Sequence, residues 1–217
     1  MALILYYSPG AASMSSHIAL EEVGAEYEPR QVKLSENEQR KPEYLAINPR
    51  GRVPALVLED GKVLTETAAI LLYIARKFPD AKLWPEDPLA QARCIDWLSW
   101  LASSMHIAFQ QVRRPMRFAG QNPDYFPSVK TAGMEYLRMA YLDIERRLAS
   151  SKFAVGNSLS IADLHLFVFF NWGRGAGFLA PAASPAFMRW GEAIGARDSV
   201  RRMAEQEGVK LLAKGQS

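Results

Sequence analysis

The chain is poor in the residues that most often announce chemistry. It has one cysteine, Cys94. A lone cysteine excludes an internal disulfide and leaves no thiolate cluster for a metal. Its three histidines, His17, His106 and His165, have no ligand-like spacing, so no metal is expected. No apolar run is long enough to span a bilayer, so no membrane partner is expected. The N-terminus lacks a basic segment followed by a long apolar stretch and a small-residue cleavage site, and a cytoplasmic protein is the expectation. Repeats and low-complexity segments are also missing. Lys and Arg number 26 against 23 Asp and Glu, a net charge of +3. That excess is too small for a nucleic-acid footprint. Arg113-Arg114 and Arg201-Arg202 are pairs rather than runs. Both read as solvated helix faces, although the first pair can border an anionic ligand.

What remains is an ordinary globular composition, 49% hydrophobic over 217 residues. That suits one large domain or two small ones. Ala2 to Tyr7 reads as a strand, broken by Ser8-Pro9-Gly10. A helical pattern starts at Ser13, with Ile18, Leu20 and Val23 on its apolar side and Gly24 as its stop. Tyr27 to Leu34 reads as a second strand, and a strand–helix–strand succession of this length favours a parallel pair. Residues 35–50 are polar and proline-broken, with at most a short helix near Pro42–Leu45.

The stretch from Arg52 to Thr67 organises the rest. Val53-Pro54 opens a short apolar run. Asp60-Gly61 is a hairpin turn signal between two β-type runs. Thr65-Glu66-Thr67 leads into a helix over 66–77. If Val53-Pro54 is cis, the N–H and C=O of Val53 stay free for an extended peptide ligand; an ordinary trans proline heading an edge strand is the plainer alternative. Glu66 and Thr67 sit where a helix N-terminus can hold a carboxylate and where Glu66 can answer an ammonium. Taken alone, they read equally as a cap.

Three prolines between Phe78 and Pro88 forbid a continuous helix and mark a connection. Everything after it reads as helical: 88–118, 128–150, 161–172, 185–196 and 199–207. Ser160 with Asp163 is a capping-box variant, with Leu159 and Leu164 as a staple. The helix it starts is apolar nearly all round and should be central. His165 within it reads as a satisfied core histidine. The tail beyond Glu207 is expected to fray.

Leu5-Tyr-Tyr-Ser-Pro-Gly-Ala-Ala-Ser13, Asn48-Pro-Arg-Gly-Arg-Val-Pro-Ala-Leu56 and Leu64-Thr-Glu-Thr-Ala-Ala-Ile70 resemble the glutathione transferase family, most closely its bacterial beta-type members. The Ser160–Asp163 box matches a marker of the same family. The resemblance implies an α/β plus all-α fold: a thioredoxin-like domain over 1–79, a linker over 80–87 and a helical bundle over 88–217. It implies an enzyme that adds the thiolate of glutathione to a small hydrophobic electrophile, with glutathione as co-substrate and no other cofactor. It also implies a homodimer.

Such an enzyme must lower the pKa of a thiol, and a helix N-terminus or a hydroxyl donor does so. The resemblance makes Ser13, through Oγ or its backbone N–H, the first candidate, ahead of Tyr7 and then Ser8. His106 is a further candidate, since beta-type members carry a histidine near that place. Ala12 marks a departure: beta-type members have a cysteine there that forms a mixed disulfide with glutathione, which puts thiol-transfer chemistry in doubt. Val53 and Pro54 would hold the cysteinyl part of glutathione, Glu66 and Thr67 the γ-glutamyl part, and Arg52 and Lys33 the glycyl end. Met105, Phe109, Val112, Met116 and Trp172 would line the electrophile pocket, or else pack in the core. Peroxide reduction, isomerisation or dehalogenation on the same site is an alternative, though the Ser-Ser-Cys motif of a zeta-type isomerase is absent. A non-catalytic glutathione-binding or protein-interaction module is the alternative from another class.

Overall fold

A computed structural model describes residues 2–179 and 182–211. Its first half is a four-stranded mixed sheet in the order β2-β1-β3-β4. Strand β1 (Leu3–Tyr7) is central, with Leu3, Leu5 and Tyr7 buried and Ile4 and Tyr6 half-buried between them. It pairs in parallel with β2 (Tyr27–Gln31), and helix α1 (Met14–Glu22) supplies the crossover such a pair needs. Pro29 is tolerated because β2 is an edge. On its other side β1 runs antiparallel to β3 (Ala55–Val57), which returns as β4 (Val63–Thr65). Gly61, at φ +82°, makes the expected turn. The short helix α2 (Pro42–Leu45) precedes β3, and α3 (Thr67–Lys77) follows β4.

Three ends of this sheet lie together. Tyr6 is opposite Ala55, and Ala55 is opposite Thr65. Ser8, Val53-Pro54 and Glu66-Thr67 therefore leave the sheet at the same edge.

The second half is helical among the described residues. Helix α4 (Pro88–Trp100) starts on Asp87, whose Oδ2 accepts the Ala90 N–H at 2.7 Å, with proline at its first position. It continues through a π-helical turn, Leu101–Met105, into α5 (His106–Arg113). The sequence suggested one helix to residue 118. Instead Arg114 leaves helical geometry at φ −141°, because Pro115 disfavours the α region for its predecessor, and α6 (Met116–Ala119) is separate. Helices α7 (Phe126–Ala149), α8 (Ile161–Gly175), α9 (Pro185–Gly195) and α10 (Asp198–Glu207) complete the fold. Residues 212–217 of the tail lie outside the described residues.

The capping box of α8 is present: Asp163 Oδ2 accepts from the Ser160 N–H and Oγ, both at 2.9 Å. Asp163 Oδ1 also accepts from the Ala154 N–H at 2.7 Å and Trp190 Nε1 at 3.0 Å. Burial still pushes its pKa up. Helix α8 is central, with Leu164, Leu166, Phe167, Val168 and Phe169 all buried. One hydrophobic core runs through both halves, from Leu5 and Ile18 to Trp97, Phe167 and Met203. Helix α1 is buried from Met14 to Leu20 because β1, α3, α8 and α10 all pack against it. Among the described residues no helix is long and apolar enough to cross a membrane.

Candidate active site

The loop from Ser8 to Ser13 joins β1 to α1 and is held from three directions. Gly10 turns it at φ +68°, a conformation that favours glycine. Ser13 Oγ donates to the Ser8 carbonyl at 3.2 Å and accepts the Ser8 N–H at 3.1 Å. Glu207, from α10, takes the Gly10 N–H at 2.9 Å, while Trp172, from α8, donates its Nε1 to the Gly10 carbonyl at 2.8 Å. Among the described residues, the N–H groups of Ala12 and Ser13 have no partner. They open α1, where the helix dipole favours an anion.

At the same sheet edge the Val53-Pro54 peptide is cis. The Val53 N–H and C=O have no partner among the described residues. The preceding carbonyl, of Arg52, is fixed by Tyr44 Oη at 2.6 Å and Asn48 Nδ2 at 2.7 Å. Glu66 has φ +69°, rare for a residue with a side chain and most often met at functional positions. Its exposed carboxylate lies 3.6 Å from Arg50 Nη1. Thr67 is the first residue of α3, and its N–H likewise has no partner among the described residues. Lys33 is exposed and already paired with Glu36 at 3.2 Å.

The opposite wall comes from α5, α6 and α8. His106 is half-buried and meets the Trp172 ring edge-to-face at 5.3 Å between centroids. Its Nε2 lies 3.2 Å from Gln110 Nε2, whose Oε1 accepts from Arg117 Nη1 at 3.3 Å. Burial, then the charges of Arg52, Arg117, Arg114 and Arg113, lower the His106 pKa to about 4, so the imidazole is neutral near pH 7. The Arg113 guanidinium sits 5.4 Å from the Trp172 ring centroid and 5.7 Å from that of Phe109.

Not every candidate faces this cleft. Met105 and Phe109 are 0% and 1% exposed, so they are core residues behind the wall rather than its lining. Val112 is half-buried and borders a different groove, with Tyr141 and Phe178. Met116 is exposed on α6. Tyr7 points to the α1 side of the sheet, its ring 5.0 Å from that of His17. Burial and Glu207 raise its pKa and keep it a neutral phenol. His165 is buried but only half satisfied: Nδ1 is 3.3 Å from Ser15 Oγ, and Nε2 has no partner among the described residues.

Residues 1–76 match the sequence model for the glutathione S-transferase N-terminal domain, and residues 112–198 match that for the C-terminal domain. The Escherichia coli O157:H7 glutathione S-transferase GstA is 34% identical over 170 residues, 77% of this chain and 81% of its own length. This chain belongs to the glutathione S-transferase family. A glutathione transferase homolog from Sulfitobacter, solved with bound glutathione, superposes with a TM-score of 0.89 at 37% identity, covering 96% of this chain and 99% of that one. A bacterial beta class glutathione S-transferase from Sphingomonas chungbukensis superposes at 0.83 with 35% identity, covering 95% of this chain and 100% of its own. The thioredoxin-like half and the helical half are those of the transferase fold.

Some of this transferase site was out of reach from sequence. Glu207 lies near the end of the described residues, in a mostly polar helix. Only its place on the inward face, with Val200 and Met203, hints that it is buried. The Trp172–Gly10 bond and the Gln110 bridge between His106 and Arg117 leave no local signal.

Proposed function

We propose that this chain binds glutathione along the backbone-rich wall and adds its thiolate to an electrophile held against α5, α6 and α8. The observation that carries the reading is the pair of unpartnered N–H groups, Ala12 and Ser13, at the start of α1. They offer a thiolate two donors and the positive end of a dipole. In the reaction the thiol proton passes to solvent, the sulfur lone pair forms the new bond to carbon, and a leaving group departs with its bonding pair. Because the Ser13 hydroxyl donates to Ser8, the donor we assign is its backbone N–H. The Tyr7 hydroxyl, turned toward α1, would reach the thiol only by reorienting, and neutral His106 lends its ring to the acceptor wall. Val53 and Pro54 would receive the cysteinyl part, Glu66 and Thr67 the γ-glutamyl part, and Arg52 the glycyl carboxylate, with Lys33 free to help only by leaving Glu36.

Thiol-transfer chemistry is disfavoured. Ala12 has no sulfur, and Cys94 is fully buried, with its pKa raised by that burial. We also propose a homodimer in the cytoplasm, divided at 80–87. A glutathione-binding module without chemistry is the second reading, and the occupied Ser13 hydroxyl favours it.

Calorimetric titration with glutathione, paired with an ultraviolet difference spectrum against pH, tests the proposal. Binding with a depressed thiol pKa is the expected result, weakened about tenfold by Glu66→Ala. Binding without thiolate would favour the module. No binding would overturn both.

A further inference from the structure

Among the described residues, the arginines on the acceptor wall have no counter-ion. From Trp97 to Pro123 the sequence contains no acid, yet it places Arg113, Arg114 and Arg117 where α5 breaks into α6. Across the cleft stand Arg40, Arg50 and Arg52. Of these six, only Arg50 has a carboxylate partner among the described residues, Glu66. The others are near enough to oppose one another: the charges of Arg114, Arg52 and Arg40, after burial, lower the pKa of Arg117. Cations gathered without an anion repel one another, and an anionic ligand relieves that repulsion.

The patch also adjoins the chemistry. Arg113 lies over Trp172, and Trp172 holds the Gly10 carbonyl of the thiol loop. Arg117 reaches His106 through Gln110. An acceptor lying against Arg113, which covers the buried Trp172 ring, would have further guanidinium groups at its edge, in the planar geometry that suits a carboxylate. With Met105 and Phe109 withdrawn into the core, this wall is less apolar than a purely hydrophobic substrate would want.

We infer that the electrophile is an aromatic or otherwise planar carboxylate, its anionic group held by Arg114 and Arg117 and its ring stacked on the Arg113 guanidinium that Trp172 backs. The inference rests on the transferase reading above and narrows its substrate class. With a chlorodinitrobenzoate as probe, the thiolate of glutathione attacks the ring carbon bearing chlorine. The C–S bond forms, the C–Cl bond breaks, and chloride leaves with the bonding pair, while the thiol proton has gone to solvent.

The test compares the chlorodinitrobenzoate with its uncharged amide at saturating glutathione, each corrected for its uncatalysed rate. The benzoate should have a kcat/KM about tenfold higher, a preference that falls with added salt. The double variant Arg114→Gln/Arg117→Gln should bring the ratio to about one. Both side chains are exposed, so the variant folds. A wild-type ratio near one, or a ratio the double variant leaves unchanged, overturns the inference. So does a rise in the KM of glutathione with the ratio preserved, because the arginines would then hold the glycyl carboxylate. Calorimetry with the unreactive dinitrobenzoate and dinitrobenzamide separates this claim from the transferase reading. Benzoate-selective binding that the double variant abolishes upholds the anion site even if neither probe turns over. Equal binding of the two sinks it.

Discussion

The wall formed by residues 8–13 and 53–67 offers a ligand mostly peptide groups: the N–H of Ala12, Ser13 and Thr67, and the N–H and C=O of Val53. The wall formed by α5, α6 and α8 offers side chains: His106, Arg113 and Arg117, with Trp172 buried behind them. The first wall is supported by buried and part-buried bonds from Ser13, Glu207, Tyr44 and Asn48. The second ends in exposed guanidinium groups. Peptide donors do not depend on which side chain is attached. Alanine at position 12 therefore leaves the unpartnered amides in place, and on the proposed reading one scaffold can keep its thiol chemistry while the facing wall changes what it accepts.

Pulling the support from behind the peptide wall should have the largest effect. The Glu207 side chain is 0% exposed and takes both the Gly10 N–H and His17 Nδ1, each at 2.9 Å. Glu207→Ala leaves both groups unpaired in a buried place, at a cost of about 3 kcal/mol. Calorimetry should show Tm lower by roughly 10 °C. The thiol pKa of bound glutathione should rise as the loop loosens, whereas Arg114→Gln, on the other wall, should leave Tm in place. An unchanged Tm for Glu207→Ala would mean that α10 merely rests against the loop.

A pH series sharpens the contrast, because the titrating imidazoles both belong to helices of the side-chain wall. Burial, then the neighbouring arginines, hold His106 at about 4; burial and then His106 hold His165 at about 3. The unfolded chain protonates both near their usual value. Between those limits it binds more protons than the folded chain, so stability falls as pH drops from about 6.5 toward 4. From pH 6.5 to 5 the loss is roughly 2 kcal/mol for His165 and less for the partly exposed His106. Asp163, with its pKa raised by burial, opposes this at the acid end. Urea midpoints at pH 7 and 5 should differ, and His165→Gln should shrink the difference. An equal difference in the variant would place the loss elsewhere.

The two walls were not equally legible in the sequence. Peptide walls depend on residues with special backbone habits, and those residues are distinctive: Gly10, Pro54 and Asp60-Gly61 each mark a turn whose position is then fixed by β pairing. The register Tyr6–Ala55–Thr65 turned three separate motifs into one edge. Nothing local, by contrast, separated Met105 and Phe109 from Met116, since apolar residues at helical spacing read alike whether they face a core or a cleft. Position relative to α7 and α8 decides between them, and that is long-range information. Pro115 was visible, yet the apolar pattern continuing past it masked the helix end at Arg113. Glu207 escaped for the same reason as Met105: its partners lie nearly 200 residues away in sequence.

The smallest effect separates the peptide group of Ser13 from its side chain. If the hydroxyl activated the thiol, Ser13→Ala would raise the thiol pKa of bound glutathione by a unit or more and cut turnover at neutral pH about tenfold. In the structure that hydroxyl donates to the Ser8 carbonyl at 3.2 Å and accepts the Ser8 N–H at 3.1 Å, within a residue that is 0% exposed. Removing it strips Ser8 of both bonds, a loss of about 1 kcal/mol, or a few degrees in Tm. The Ser13 N–H stays where it is. The expected result is a measurable fall in Tm with the thiol pKa moved by less than about half a unit. A large pKa rise with Tm unchanged would return the hydroxyl to the chemistry and take from the peptide wall the independence from side chains that distinguishes it from the wall it faces.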